Sequence, residues 1–246
     1  MKSERIPVKS FSADNGFIGK MQKLVREEVL PYQYNILNDA IPGIEKSHAI
    51  ENIRLAAEKL RGKDVKPDEF YGMVFQDSDV AKWIEAAAYA LAAGEDPELE
   101  KAVDETIQLY GASQHEDGYV DSYFTVKCPD KMWTNICDAH ELYCAGHMME
   151  AAVAYYEVTG KRELLDIMSK SADCIYEQFM KKNTRAYPGH PEVELALMRL
   201  WRATGNEKYK ELAKHFVDVR GQAPNYFVEE KKNRGWNVWD GTEELN

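Results

Sequence analysis

The stretch AAVAYYEVTGKRELLDIMSKSADCI, residues 151–175, decides the fold. Small and aliphatic residues with two tyrosines run up to Thr159-Gly160. A short turn follows, and then a second amphipathic run. LALMRLWRATGNEKYKELAKHFVDV, residues 195–219, repeats this layout around Thr204-Gly205. A helix that closes at glycine, with a successor opening a few residues later, is a helical hairpin. The two glycines are 45 residues apart, and residues 86–107 have the same shape around Gly94, 66 residues before Gly160. Recurrent helix pairs indicate an α/α repeat, either an open solenoid or a closed toroid of hairpins.

The same signals extend in both directions. DSDVAKWIEAAAYALAAG (77–94) opens at an Asp/Ser cap, and DPELEKAVDETIQLYGASQ (96–114) carries Pro97 where a helix start tolerates it. AHELYCAGHMMEAAVAYYEVTG (139–160) and KRELLDIMSKSADCIYEQFMKK (161–182) form one pair, PEVELALMRLWRATG (191–205) and NEKYKELAKHFVDVRG (206–221) the next. Upstream, residues 19–39 and 47–60 read as two more helices, the first bent at Pro31. That makes about eight helices and no strand alternation. HEDGYVDSYFTVKCPDKMWTN (115–135) is expected as a long loop without structure of its own. Its Tyr119, Tyr123, Phe124 and Trp133 suit a sugar-binding rim, or else a cover over helix ends.

With 246 residues, 44% of them hydrophobic, the chain can bury a substantial core. A formal charge of -11 repels phosphate backbones and anionic lipid. No apolar run reaches the roughly 20 residues of a membrane helix, and MKSERIPVKSFSADNG lacks a signal-peptide core. Four cysteines, Cys128, Cys137, Cys144 and Cys174, are too few for a disulfide scaffold. Cytoplasmic residence with free thiols, and no nucleic-acid or membrane partner, is therefore expected.

CDAHELYCAGH (137–147) sets two cysteines and two histidines within eleven residues. On one helix they would share a stripe of roughly 80°, but Cys137 and His147 would be about 15 Å apart along the axis. One zinc ion, bound at about 2.0–2.3 Å, cannot collect all four. The second histidine of HExxH is replaced by Cys144, which removes the zincin reading. An adjacent pair such as His140 with Cys144 could still bind a metal with partners from elsewhere, or act as a Cys–His pair with no orienting third group identified; the other open readings are buried packing and a polar stripe along a pocket. His190 precedes the next repeat's first helix much as His147 lies in this one. In a toroid such side chains converge on the central cavity, where neutral imidazole both donates to and accepts from a hydroxyl.

FQDSDVAKWIEAAAYAL, QHEDGYVDSYFT, WTNICDAHELYCAGHMMEAAVAYYEVTGK and YPGHPEVELALMRLWRATGNEKYKELAKHFVDVRG resemble the N-terminal part of glycoside hydrolase family 127, the β-L-arabinofuranosidases. The likeness runs from about Gln22 to Gly221, with HELYCAGH and PGHPEVELAL its most specific parts. It implies an (α/α)6 barrel followed by β-sandwich domains. It also implies a retaining glycosidase in which a zinc-bound cysteine thiolate is the nucleophile and a glutamic acid is the acid/base. By the resemblance those groups lie beyond Asn246, and none of the four cysteines matches them. Zinc is thus expected in a complete family member and no metal site in this chain. His140 and His190 match positions that contact arabinofuranose in the family, and Gln33 matches more weakly. Asp77, Asp79 and Glu141 are candidates for orienting them.

The expectation is a single all-α domain over residues 1–246, with residues 1–20 and 222–246 irregular. It forms an α/α toroid with about four of six hairpins, read as a fragment, a truncated product or a diverged paralogue. Its expected role is to supply part of a pocket for a sugar or oligosaccharide, as a glycoside hydrolase inactive on its own. Two alternatives are another α/α-toroid sugar enzyme, an unsaturated glucuronyl hydrolase or an epimerase recruiting Asp138 with His140, and a non-catalytic helical-repeat interaction module. An incomplete toroid would expose apolar flanks, so homodimerisation is expected.

Overall fold

The structure, a computed structural model, describes residues 6–11, 13 and 16–238. It is all-helical, with no strand among the described residues. The helices are α1 (Gly16–Leu24), α2 (Leu30–Leu37), α3 (Ala49–Leu60), α4 (Asp77–Ala92), α5 (Pro97–Ala112), α6 (Ser122–Lys127), α7 (Glu141–Thr159), α8 (Glu163–Tyr176), α9 (Val193–Thr204), α10 (Glu207–Val219) and α11 (Tyr226–Asn233).

They form two layers. α4 packs on α7, α7 on α9 and α2 on α4, giving an inner row. α3 on α5, α5 on α8 and α8 on α10 give an outer row. Each inner helix is joined by a short turn or loop to the outer helix that follows it. This is four hairpins side by side, the layering of an α/α toroid.

Local chemistry sets the turns. Gly160 and Gly205 take φ of +78° and +75°, a region closed to most side chains. Their amides bond back to Tyr156 O and Trp201 O at 2.8 and 2.7 Å. The Asp96 carboxylate caps α5 through Leu99 N at 3.1 Å, with Pro97 at the first helical position. Central α7 buries 14 of its 19 residues, as a helix packed on all sides must. Small residues permit this: a Cβ on Gly146 would stand 2.9 Å from Glu192 Cγ and 3.0 Å from Val193 Cα of the α9 entrance.

Several expectations are corrected. The segment at 115–135 contains α6, whose Asp121 cap bonds Phe124 N at 3.0 Å. Its aromatics cover helix ends: Tyr119, Tyr123 and Phe124 are buried and Trp133 half-buried. Residues 222–246 are not all irregular, because α11 lies there, capped by Asn225. α1 begins within residues 1–20; residues 1–5 and 239–246 lie outside the described residues. Pro31 sits at the start of α2, and the irregularity comes just before it, as the π-helical turn Val25–Val29. The wider turn accommodates a proline that has no N–H to donate. Apolar side chains stand exposed on both flanks: Phe17, Ile18, Leu24 and Val25 on one, Leu195 and Val217 on the other.

Candidate functional site

The inner helices α4, α7 and α9 bring their N-terminal ends together, and polar rings meet there. His140 stands immediately before α7, at φ +62°. Its ring lies 5.2 Å from that of Phe75, just before α4, and 5.4 Å from that of His190, just before α9. Tyr143 bridges the group at 4.9 Å from His190 and 4.4 Å from His147. Lys82 Nζ lies 5.2 Å from the Tyr143 ring centroid. His147 Nδ1 is 3.6 Å from Glu192 Oε1. The expected pair His140 and His190 is thus brought together, and the left-handed turn at His140 projects its ring into the group.

Burial pushes the His140 imidazole below its usual range. Burial, with Lys82 nearby, pushes His147 down to about 4. Both rings are neutral at pH 7. Each carries one donor and one acceptor nitrogen, which suits hydroxyl groups better than anions.

The other predicted residues lie elsewhere. Glu141 is buried beneath the rings, and its carboxyl group accepts from Tyr119 Oη at 2.7 Å and Trp133 N at 3.0 Å. Its burial leaves it no direct path to a ligand. Asp77 is likewise buried, bonded to Ser122 N at 2.8 Å and to the Ser122 hydroxyl. Asp79 is half-exposed and lies 3.8 Å from Lys82 Nζ, at the margin. Gln33 is exposed on α2, and no hydrogen bond or ring contact joins it to His140 or His190. Sequence reasoning passed over Phe75, Lys82 and Tyr143. Tyr143 was legible in principle, since residues three apart neighbour each other on a helix.

The 137–147 stretch does not form the single stripe expected of it, because α7 starts at Glu141 and leaves Cys137 in the preceding loop. Burial raises every thiol: Cys128 to about 11, Cys137 and Cys174 to about 12, and Cys144 well above its usual value.

The model of the family 127 β-L-arabinofuranosidase catalytic domain matches residues 12–245. The chain belongs to glycoside hydrolase family 127. It is 41% identical to a non-reducing end β-L-arabinofuranosidase of Bifidobacterium longum subsp. longum, over 84% of this chain and 33% of that one. A family 127 β-L-arabinofuranosidase of Geobacillus stearothermophilus T6 superposes with TM-score 0.85 at 53% identity, covering 91% of this chain and 34% of that one. A second family 127 β-arabinofuranosidase gives 0.77 at 32% identity, covering 88% and 34%. The chain spans about one third of the length of these relatives.

Family 127 implies a zinc ion. Among the described residues no group of three or more His, Cys, Asp or Glu could hold a metal ion. The described residues do not fit a zinc centre.

Proposed function

We propose that this chain forms the sugar-binding part of a family 127 glycoside hydrolase acting on β-L-arabinofuranosides. The observation that carries the reading is the convergence of His140, His190, Tyr143 and His147, two of them held neutral by burial, at the N-terminal ends of α7 and α9. Neutral imidazoles and a phenol supply donors and acceptors for hydroxyls, while Phe75 offers an apolar face to a sugar ring. Asp79, through Lys82, and Glu141, through the loop at Trp133, support that group. Gln33 stands as a further contact. Cleavage needs a nucleophile and an acid that these residues do not provide.

The test is binding of L-arabinose by calorimetry. His140→Ala and His190→Ala each weaken it tenfold or more, about 1.4 kcal/mol. Unchanged affinity in both variants overturns the reading.

The epimerase-type alternative has less support. Asp138 is bound by Arg234, and that bond, with one from the Cys137 thiol, outweighs burial and holds its carboxyl below the usual range. It meets His140 through its carbonyl, not its carboxylate. Among the described residues no helix is long and apolar enough to cross a membrane. The free thiols favour the cytoplasm, and the exposed apolar flanks favour self-association, which sedimentation would detect.

A further inference from the structure

The loop of residues 133–140 presents His140 yet has no helix of its own to hold it. α11 holds it. The Glu230 carboxylate, 7% exposed, accepts from Ile136 N at 2.7 Å and from Cys137 N at 3.0 Å. Tyr226 Oη donates to the same carboxylate at 2.8 Å. The Arg234 guanidinium donates to Asp138 Oδ2 at 2.7 Å and to Asn135 Oδ1, with Glu230 Oε2 3.6 Å away. From the opposite side Gly189 N donates to Ile136 O at 3.3 Å. Within the turn, Asp138 N and Ala139 N both bond back to Asn135 at 3.0 Å.

The outcome of this clamp is the position of one carbonyl. Asp138 O stands 2.6 Å from His140 Nδ1. A carbonyl oxygen only accepts, so Nδ1 must carry the hydrogen. In a neutral ring the other nitrogen is then bare. Second residues that fix a histidine's tautomer are a general device, best known where the free nitrogen must meet a particular partner.

We propose that Glu230 and Arg234 are positioning residues that lock His140 in its Nδ1–H tautomer, so that it offers the pocket an acceptor Nε2. That nitrogen takes a hydrogen from a ligand hydroxyl. The ligand half of the inference rests on the sugar reading above; the lock itself does not. A hydroxyl replaced by fluorine, which cannot donate, fails at this point, whereas a site built on an imidazole N–H would tolerate fluorine better.

The test uses the whole chain labelled with 15N-histidine. Long-range proton–nitrogen correlation at pH 7 reads the tautomer, with the His140 signals assigned by their loss in His140→Ala. Wild type shows one Nδ1–H tautomer. Arg234→Met and Glu230→Gln shift it toward a mixture of the two, and Arg234→Lys restores it in part, while the His190 signals stay in place. Asp138→Asn, which removes Arg234's charge partner but keeps the side chain's size, gives the same mixture and serves if Arg234→Met does not fold. An Nε2–H tautomer in wild type, or an unmixed Nδ1–H tautomer in Asp138→Asn and in every Arg234 or Glu230 variant that folds, overturns the lock. L-arabinose affinity falls about tenfold in the variants, and one of the monofluorinated L-arabinoses falls by as much in wild type. If wild type binds no arabinose at all, the sugar reading falls and the tautomer still decides the lock.

Discussion

Replacing Gly189 with alanine tests the packing that unites the candidate site. A Cβ built on Gly189 would stand 1.9 Å from Cys137 O and 2.9 Å from Cys137 C. Both are backbone atoms, so no rotamer change relieves the overlap. The loop must withdraw by about 1.5 Å to reach ordinary contact. Such a retreat breaks Gly189 N to Ile136 O and strains the two bonds from Glu230 to Ile136 N and Cys137 N. At about 1 kcal/mol for the neutral bond and somewhat more for each bond to a carboxylate, the loss is about 3–4 kcal/mol. For a chain of this size that lowers Tm by about 10 °C. Urea unfolding followed by tryptophan fluorescence gives the free energy directly. Gly205→Ala is the comparison: its φ is +75° but nothing lies within 4 Å of the added methyl, so it costs only about 1 kcal/mol. If Gly189→Ala costs under 0.5 kcal/mol, or less than Gly205→Ala, the reasoning fails.

The remaining predictions concern buried charge and thiols. Arg199 pairs with Glu150 and, at 3.2 Å, with Glu85, so Arg199→Met strands a buried Glu150 carboxylate at a cost of about 3 kcal/mol. Adding Glu150→Gln recovers much of it; equal urea midpoints for the single and double variants would contradict this. Burial raises the Glu141 carboxyl from 4.5 to about 8, so the folded chain retains a proton that the unfolded chain releases. The stability from that proton is fully present below pH 4.5 and is lost as the pH rises to 8, at up to about 1.4 kcal/mol per pH unit. Glu141→Gln removes this slope, and parallel stability curves for the two proteins between pH 5 and 8 would rule it out. Iodoacetamide at pH 7.5 leaves all four cysteines unmodified by mass spectrometry while free cysteine in the same tube is consumed. Rapid labelling of any one would show a thiolate where burial argues for a thiol.

The hairpins were legible because their punctuation is local. Thr-Gly pairs, Asp96 with Pro97 and the 3.6-residue period need only neighbours in sequence to be read. α6 was not legible, since six residues are too few to display a period. α11, YFVEEKKN, was missed because the one residue it buries is Glu230, whose backbone partners, Ile136 N and Cys137 N, lie more than 90 residues away. The histidine pair could be guessed from position. Its geometry depended on the left-handed turn at His140, which histidine tolerates without signalling it. Glu141 opens α7 directly after that turn, and its burial depends on Tyr119 and Trp133, residues that no local pattern ties to it.

The contacts among Phe75, His140 and His190 also mean that three inner helices begin at the same end of the protein. Each helix start carries roughly half a positive elementary charge from its aligned peptide dipoles, and here the three add. The backbone thereby contributes positive partial charge beside His140, set against the Asp79 and Glu192 carboxylates near the same helix starts. That contribution opposes imidazolium formation at His140 and so acts there in the same direction as burial. It also draws the electron-rich side of a bound oxygen toward the helix ends, and any oxygen that gains negative charge there is stabilised by backbone that no side-chain substitution can remove.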